Sequence, residues 1–188
     1  MIREVLLVVV ALFPISEVAL ALVKRSRGGA VQSMDRGSMR LIWLSVALGL
    51  ALAIGAQWVP AARLTVPLSF VGPAALVVMV SGLALRWAAI LTLGRLFTVD
   101  VAIHANHTVV ESGLYRLMRH PSYTGLLLAF LGLGVFFANW LSMIGLLVPI
   151  TLAVLNRVRK EEGALLESLG PGYAAYCART KRFVPGLF

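Results

Sequence analysis

From Leu64 to Gly94 the chain reads "LTVPLSFVGPAALVVMVSGLALRWAAILTLG", and Arg86 is its one charged residue. A helix needs roughly 20 apolar residues to cross a bilayer, and this run exceeds that. The pattern recurs along the chain. Spans are expected at about Val5–Val23, Leu41–Val59 and Leu68–Leu93. The apolar region Ser122–Val158 is too long for one helix and just long enough for two short ones, turning at "FFANW" (136–140) with Asn139 as the polar tip. The chain is 60% hydrophobic with a mean hydropathy of +0.90, well above a soluble domain. Pro14 and Glu17 interrupt the first block and no small-residue cleavage site follows, so it reads as a retained span rather than a signal peptide.

The 188 residues suit one domain, 1–188, with three N-terminal spans in 1–93 and a more polar region in 94–188. The net charge of +9 follows from basic loops between apolar blocks, so no nucleic-acid partner is inferred. Lys24, Arg25, Arg27, Arg36 and Arg40 fall in the first loop. Arg95, Arg116 and Arg119 fall in the third, and Arg157, Arg159, Lys160, Arg179, Lys181 and Arg182 at the C-terminal end. The other side holds Arg3 and Arg63. Five spans with a cytoplasmic C-terminus satisfy the positive-inside rule at every loop. The single cysteine, Cys177, excludes an intramolecular disulfide and a multi-cysteine metal site.

Polar chemistry gathers in two places. The first is "GLYRLMRHPSYTG", residues 113–125. Pro121 suits the first turn of a helix and pushes His120 towards an extended conformation. His120 then stands beside the unbonded N–H groups and positive dipole end of span four, a place that suits an anion. Tyr115 and Tyr123 add faces for stacking or hydroxyls for bonding. On composition alone the same residues read as an interfacial belt of basic and aromatic side chains. The second cluster is "RVRKEEGALLESLGPGYAAY", from Arg157, where Arg157 and Glu161 are one helical turn apart and can pair. Within the spans, Glu17 and Arg86 either pair inside the bundle or line a polar cavity. Gly49, Gly55, Gly82, Gly132 and Gly134 are expected at close helix contacts. His104, His107 and His120 lack the accompanying pattern of a zinc site, so no metal is assigned.

The pattern G-x-Y-x-x-x-R-H-P-x-Y-x-G within "HTVVESGLYRLMRHPSYTG", followed by R-x-x-x-E-E and G-x-x-Y-x-x-Y, resembles the isoprenylcysteine carboxyl methyltransferase family and, more widely, membrane phospholipid methyltransferases. The likeness covers about the second half of the chain. It implies an all-α polytopic membrane bundle of about five helices, a tight hairpin of spans four and five, and a cytoplasmic C-terminal cofactor-binding segment. The implied cofactor is S-adenosylmethionine. Its implied contacts are His107, Thr108, Val109, Val110, Tyr115, His120, Pro121, Ser122, Tyr123 and Glu161. Arg157 would be the catalytic residue that holds the methyl acceptor. Eukaryotic members often carry glutamine where this chain has Asp100. The expected surroundings are a lipid bilayer and a lipophilic or amphiphilic acceptor, with no obligate protein partner. A prenylcysteine carboxylate, a phospholipid and a small thiol stay open as acceptors, with Glu162 or Glu17 as base should an amine be methylated. An NADPH-dependent steroid-reductase-like enzyme and a non-enzymatic transporter are the alternatives of other classes.

The charge pattern makes a direct prediction. In a Cys177→Ser background, cysteines placed at Ser33 and Ala105 react with a membrane-impermeant thiol reagent only after the cytoplasmic side is opened. Labelling of either site in intact cells contradicts the assigned orientation.

Overall fold

The structure, a computed structural model, describes residues 2–23, 30–35, 37–94, 101–104 and 109–186. It is built mainly from helices: α1 (Ile2–Val23), α2 (Gly37–Gly55), α3 (Leu68–Leu93), α4 (Pro121–Phe136), α5 (Trp140–Leu169) and α6 (Pro171–Arg179). Among the described residues α2, α3 and α5 are long and apolar enough to cross a membrane. The shorter apolar stretches are Val8–Leu20 and Pro121–Phe136. Three such helices in one chain make it an integral membrane protein.

The all-α expectation holds for the bundle, and two local corrections apply to its connections and its hairpin. Two connecting segments pair as an antiparallel ribbon, β1 (Ala30–Asp35) with β2 (Val101–His104), from Ala30 opposite His104 to Asp35 opposite Val101, with the register shifting between Ala30 and Gln32 and between Ser33 and Asp35. Such pairing bonds loop backbone that has no helix to join. A second correction concerns the hairpin. Its halves are unequal: α4 has 16 residues and α5 has 30. By helix rise α4 spans about 24 Å and α5 about 45 Å. No proline lies between Val158 and Gly170, and the intervening Arg, Lys, Glu, Ala and Leu favour helix enough to carry it through Gly163. The helix stops where Gly170 takes φ 54°, a conformation that favours glycine, and Pro171 opens α6.

Helix α3 packs along α4, α2 along α5, α4 against α5, and α1 against α3. Glycines set the closest approach. A Cβ on Gly82 would lie 2.4 Å from the Ala129 nitrogen, one on Gly125 2.5 Å from that of Arg86, and one on Gly132 2.5 Å from that of Met79. Gly49 and Gly134 are also close, at 3.0 Å to their nearest neighbours, but Gly55 would meet nothing within 4 Å. Gly55 is therefore not a packing residue. Met79, Leu126, Phe130, Leu146, Ile150 and Val154 are central to the core. Facing outward are Leu44, Leu48 and Leu52 on α2 and Ile144, Val148 and Leu152 on α5. Apolar side chains at four-residue spacing on the outer face fit a lipid surround.

The hairpin tip is not a solvated polar point. Asn139 is 1% exposed. Its side chain accepts from the Ser142 amide at 3.0 Å, capping α5, and donates to the Ala56 carbonyl at 3.0 Å. Gln57 donates to Ser142 Oγ at 2.8 Å. The end of α2 and the α4–α5 turn are thereby locked together, while the ribbon joins the connections at the opposite end of the helices.

The glycine geometry separates two substitutions. Gly132→Ala forces backbone apart and lowers stability in detergent by about 1–3 kcal/mol. Gly55→Ala leaves it unchanged or raises it by up to about 1 kcal/mol. Thermal unfolding of both variants checks the pair, and equal midpoints contradict the packing.

Candidate active site

The start of α4 is built by chain pairing as well as by helix. Pro121 occupies its first turn and is buried. The amide of Arg119 donates to the Lys181 carbonyl at 2.8 Å and that of His120 to the Arg182 carbonyl at 2.9 Å. Thr124 Oγ1 donates to the Phe183 carbonyl at 3.1 Å. Residues 180–183 therefore lie as a strap along 118–120. The His120 amide, which stands beside the helix N–H groups expected to suit an anion, is taken up by this strap.

Glu162 joins the two strands by charge. Its Oε1 accepts from Arg119 Nε at 2.9 Å and lies 3.2 Å from His120 Nε2. Its Oε2 accepts from Arg182 Nε at 2.9 Å and Nη2 at 2.7 Å. Arg119 also donates to the carbonyls of Cys177 and Thr180.

Glu161, one residue back on α5, faces elsewhere because successive helical residues turn by about 100°. Its Oε2 accepts from the Tyr123 hydroxyl at 2.9 Å, and that hydroxyl accepts from Arg157 Nε at 2.6 Å. The expected closeness of Arg157 and Glu161 thus runs through the phenol of Tyr123. Arg157 Nη1 donates to Ser38 Oγ at 2.9 Å, which brings in the first turn of α2. The Arg157 residue is 2% exposed.

Beside this group a cavity of about 230 Å³ opens between α1 and α2, backed by α4. Phe13, Ile42, Trp43, Val46, Leu126 and Phe130 give it apolar walls, and Tyr123 and Arg157 line it too. Glu17 and Arg86 also line it, and they are paired: Arg86 Nε and Nη2 donate to the two carboxylate oxygens at 2.5 Å each. Arg86 Nη1 further donates to Ser122 Oγ at 3.0 Å and to the Ser122 carbonyl at 3.3 Å. The pairing of Glu17 and Arg86 therefore holds, while the cavity that they line is mainly apolar rather than polar. A buried bidentate pair with an added hydroxyl keeps either charge from standing alone in a low-dielectric wall.

Of the residues expected to hold a cofactor, His120, Pro121, Ser122, Tyr123 and Glu161 come together here. The His120 and Tyr123 rings lie 5.8 Å apart. Tyr115 serves the frame instead. Its hydroxyl donates to the Ala89 carbonyl at 3.4 Å, and its carbonyl accepts from the Tyr176 hydroxyl at 2.6 Å. Burial pushes the Tyr115 hydroxyl far above its ordinary range and that of Tyr176 up to about 12. Both stay protonated and can donate. Val109 and Val110 are half-buried on the approach to the turn at Gly113–Arg116. His107, Thr108 and Asp100 lie outside the described residues. Sequence reasoning missed Ser38, Thr180 and Arg182. Ser38 carried no signal, whereas the doubled glutamate at 161–162 could have suggested two separate partners.

The description "Isoprenylcysteine carboxyl methyltransferase (ICMT) family" matches residues 75–167. That stretch holds Arg86, the whole His120–Tyr123 turn, Arg157 and both glutamates. Protein-S-isoprenylcysteine O-methyltransferase B of Arabidopsis thaliana is 35% identical over 112 residues, 58% of this chain and 57% of its own. A probable protein-S-isoprenylcysteine O-methyltransferase of Oryza sativa subsp. indica is 33% identical over 118 residues, 62% of each chain. The cobalt-zinc-cadmium resistance protein CzcN of Cupriavidus metallidurans is 34% identical over 106 residues, 56% of this chain and 49% of its own. The chain spans about three-fifths of the length of the plant relatives it matches. Through residues 75–167, which carry most of the site, the chain is similar to the isoprenylcysteine carboxyl methyltransferase family.

Proposed function

We propose that this chain is a membrane methyltransferase that uses S-adenosylmethionine and methylates the carboxylate of an amphiphilic acceptor. One observation carries the reading. The Tyr123 hydroxyl joins a carboxylate on the cofactor side, Glu161, to a cation at the head of an apolar cavity, Arg157. The plant relatives' names, which specify O-methylation of S-isoprenylcysteine, support the same class.

The residues present fit the methyl donor. Glu161 offers an anion to its cationic groups, and the tilted His120 and Tyr123 rings offer faces to its base. Val109, Val110 and Tyr115, with His107 and Thr108 outside the described residues, are proposed contacts from the family pattern. When bound, S-adenosylmethionine supplies a methyl group already activated on a positive sulfur.

The chain's own work is then positioning. With the donor held by these residues, its methyl would pass to an ionised carboxylate in line, an O–C bond replacing the C–S bond as the opposite charges cancel. Holding the two reactants aligned supplies much of the rate. Arg157 lines the cavity where the acceptor headgroup would lie, and its guanidinium suits a carboxylate. A carboxylate needs no base, which agrees with the carboxylates nearby. Glu17 is bound by Arg86, and Glu162 by Arg119 and Arg182. Both are poorly placed to take a proton from an amine. The apolar walls favour a hydrocarbon tail, at about 0.8 kcal/mol per buried CH₂.

Five membrane crossings with this site at the cytoplasmic rim complete the reading, in one domain. Lysine and arginine asymmetry supports the orientation.

Two measurements test it. By calorimetry in detergent, His120→Ala and Glu161→Ala each weaken S-adenosylmethionine binding by about 1–3 kcal/mol. Unchanged affinity in both removes the cofactor assignment. Arg157→Ala slows methyl transfer to an S-prenylated cysteine far more than it weakens cofactor binding. Transfer at the native rate removes Arg157 from the acceptor site.

A further inference from the structure

The two adjacent glutamates divide their partners. Glu161 turns to Tyr123 and the cavity, whereas Glu162 turns to the strap. Three basic side chains meet the Glu162 carboxylate, from two separate stretches of chain: Arg119 and His120 ahead of α4, and Arg182 in the strap. Glu162 itself stands on α5. Three segments distant in sequence therefore share one anion. The backbone bonds from Arg119 and His120 to Lys181 and Arg182 run beside it.

His120 lies at the centre of this joint. Its Nε2 faces Glu162, its ring lies 5.8 Å from Tyr123, and the Phe183 ring is 6.1 Å away on the strap. A carboxylate at Nε2 holds the ring proton there in the neutral imidazole, leaving Nδ1 as an acceptor. Removing the carboxylate frees the ring to turn and places Arg119 and His120⁺ or its neutral form beside Arg182 without an anion between them.

We infer that Glu162 is a positioning residue: it binds the C-terminal strap to the start of α4 and thereby orients His120 for the methyl donor. This rests on the S-adenosylmethionine reading above. It separates Glu162, which acts through His120 and the strap, from Glu161, which faces the reactants.

The test uses the full-length protein in detergent, with S-adenosylmethionine affinity by calorimetry and hydrogen exchange at the Arg119 and His120 amides. Glu162→Ala lowers affinity roughly tenfold and speeds exchange at both amides, with exchange in α3 unchanged. Glu162→Gln keeps an acceptor oxygen and retains part of the affinity. Arg182→Ala leaves Glu162 in place and removes only its tie to the strap. It moves both readings in the same direction by a smaller factor, and it stands in should Glu162→Ala fail to fold.

Faster exchange with unchanged affinity overturns the inference, because the strap would then be structural alone. So does an affinity loss in Glu162→Ala with none in Arg182→Ala, because Glu162 would then act on the donor directly. A wild-type protein that binds no S-adenosylmethionine overturns the cofactor reading itself, a distinct outcome.

Discussion

The hydroxyl of Tyr123 is the point on which the site depends. It accepts from Arg157 and donates to Glu161, so one oxygen sets the relation between a buried cation and a half-buried carboxylate. An arginine inside a bundle of apolar helices is costly unless its donors are met. Here Tyr123 on α4 and Ser38 on α2 both meet it. Satisfying Arg157 therefore fixes how α2, α4 and α5 converge at one end. The hairpin tip fixes the other end of the same helices, through Asn139 and Gln57.

Between these two polar ends the bundle has little to steer it but shape. Its helices are apolar on the outside as well as the inside, so burial from water does not decide which faces meet. Glycines do so instead, at Gly82, Gly125 and Gly132, where α3 and α4 touch backbone to backbone. The α3–α4 contact brings Arg86 against Ser122, and Arg86 carries Glu17 of α1 with it. The cavity follows from this arrangement. Helix α1 is held on α3 and α2 on α5, and the space between α1 and α2 is left open as the cavity.

Much of this was legible in the sequence, for local reasons. The bounds of α3 match the expected Leu68–Leu93 because Pro67 and Gly94 punctuate a run with one charge. The hairpin turn lies at 136–140 because Asn139 caps the next helix. The convergence of His120, Tyr123, Arg157 and Glu161 joins two motifs 34–38 residues apart, and it was legible through the family resemblance rather than through local spacing. What could not be read depends on distant pairing. Glu17 and Arg86 are 69 residues apart and Ser38 and Arg157 are 119 apart, so no local pattern marks them as partners. The β1–β2 ribbon joins two loops that read only as polar. The extension of α5 to Leu169 was hidden by its change from apolar to charged, although its residues are good helix formers. Gly55 shows the reverse error: a small residue in a span is not always at a contact.

A double-mutant cycle on Tyr123→Phe and Arg157→Lys, read as kcat/KM for methyl transfer to an S-prenylated cysteine, tests the shared-hydroxyl account most directly. If the phenol joins the acceptor cation to the cofactor side, the two substitutions are non-additive, with a coupling of about 1 kcal/mol or more. Additive losses would mean that Tyr123 and Arg157 act independently, and would contradict the account.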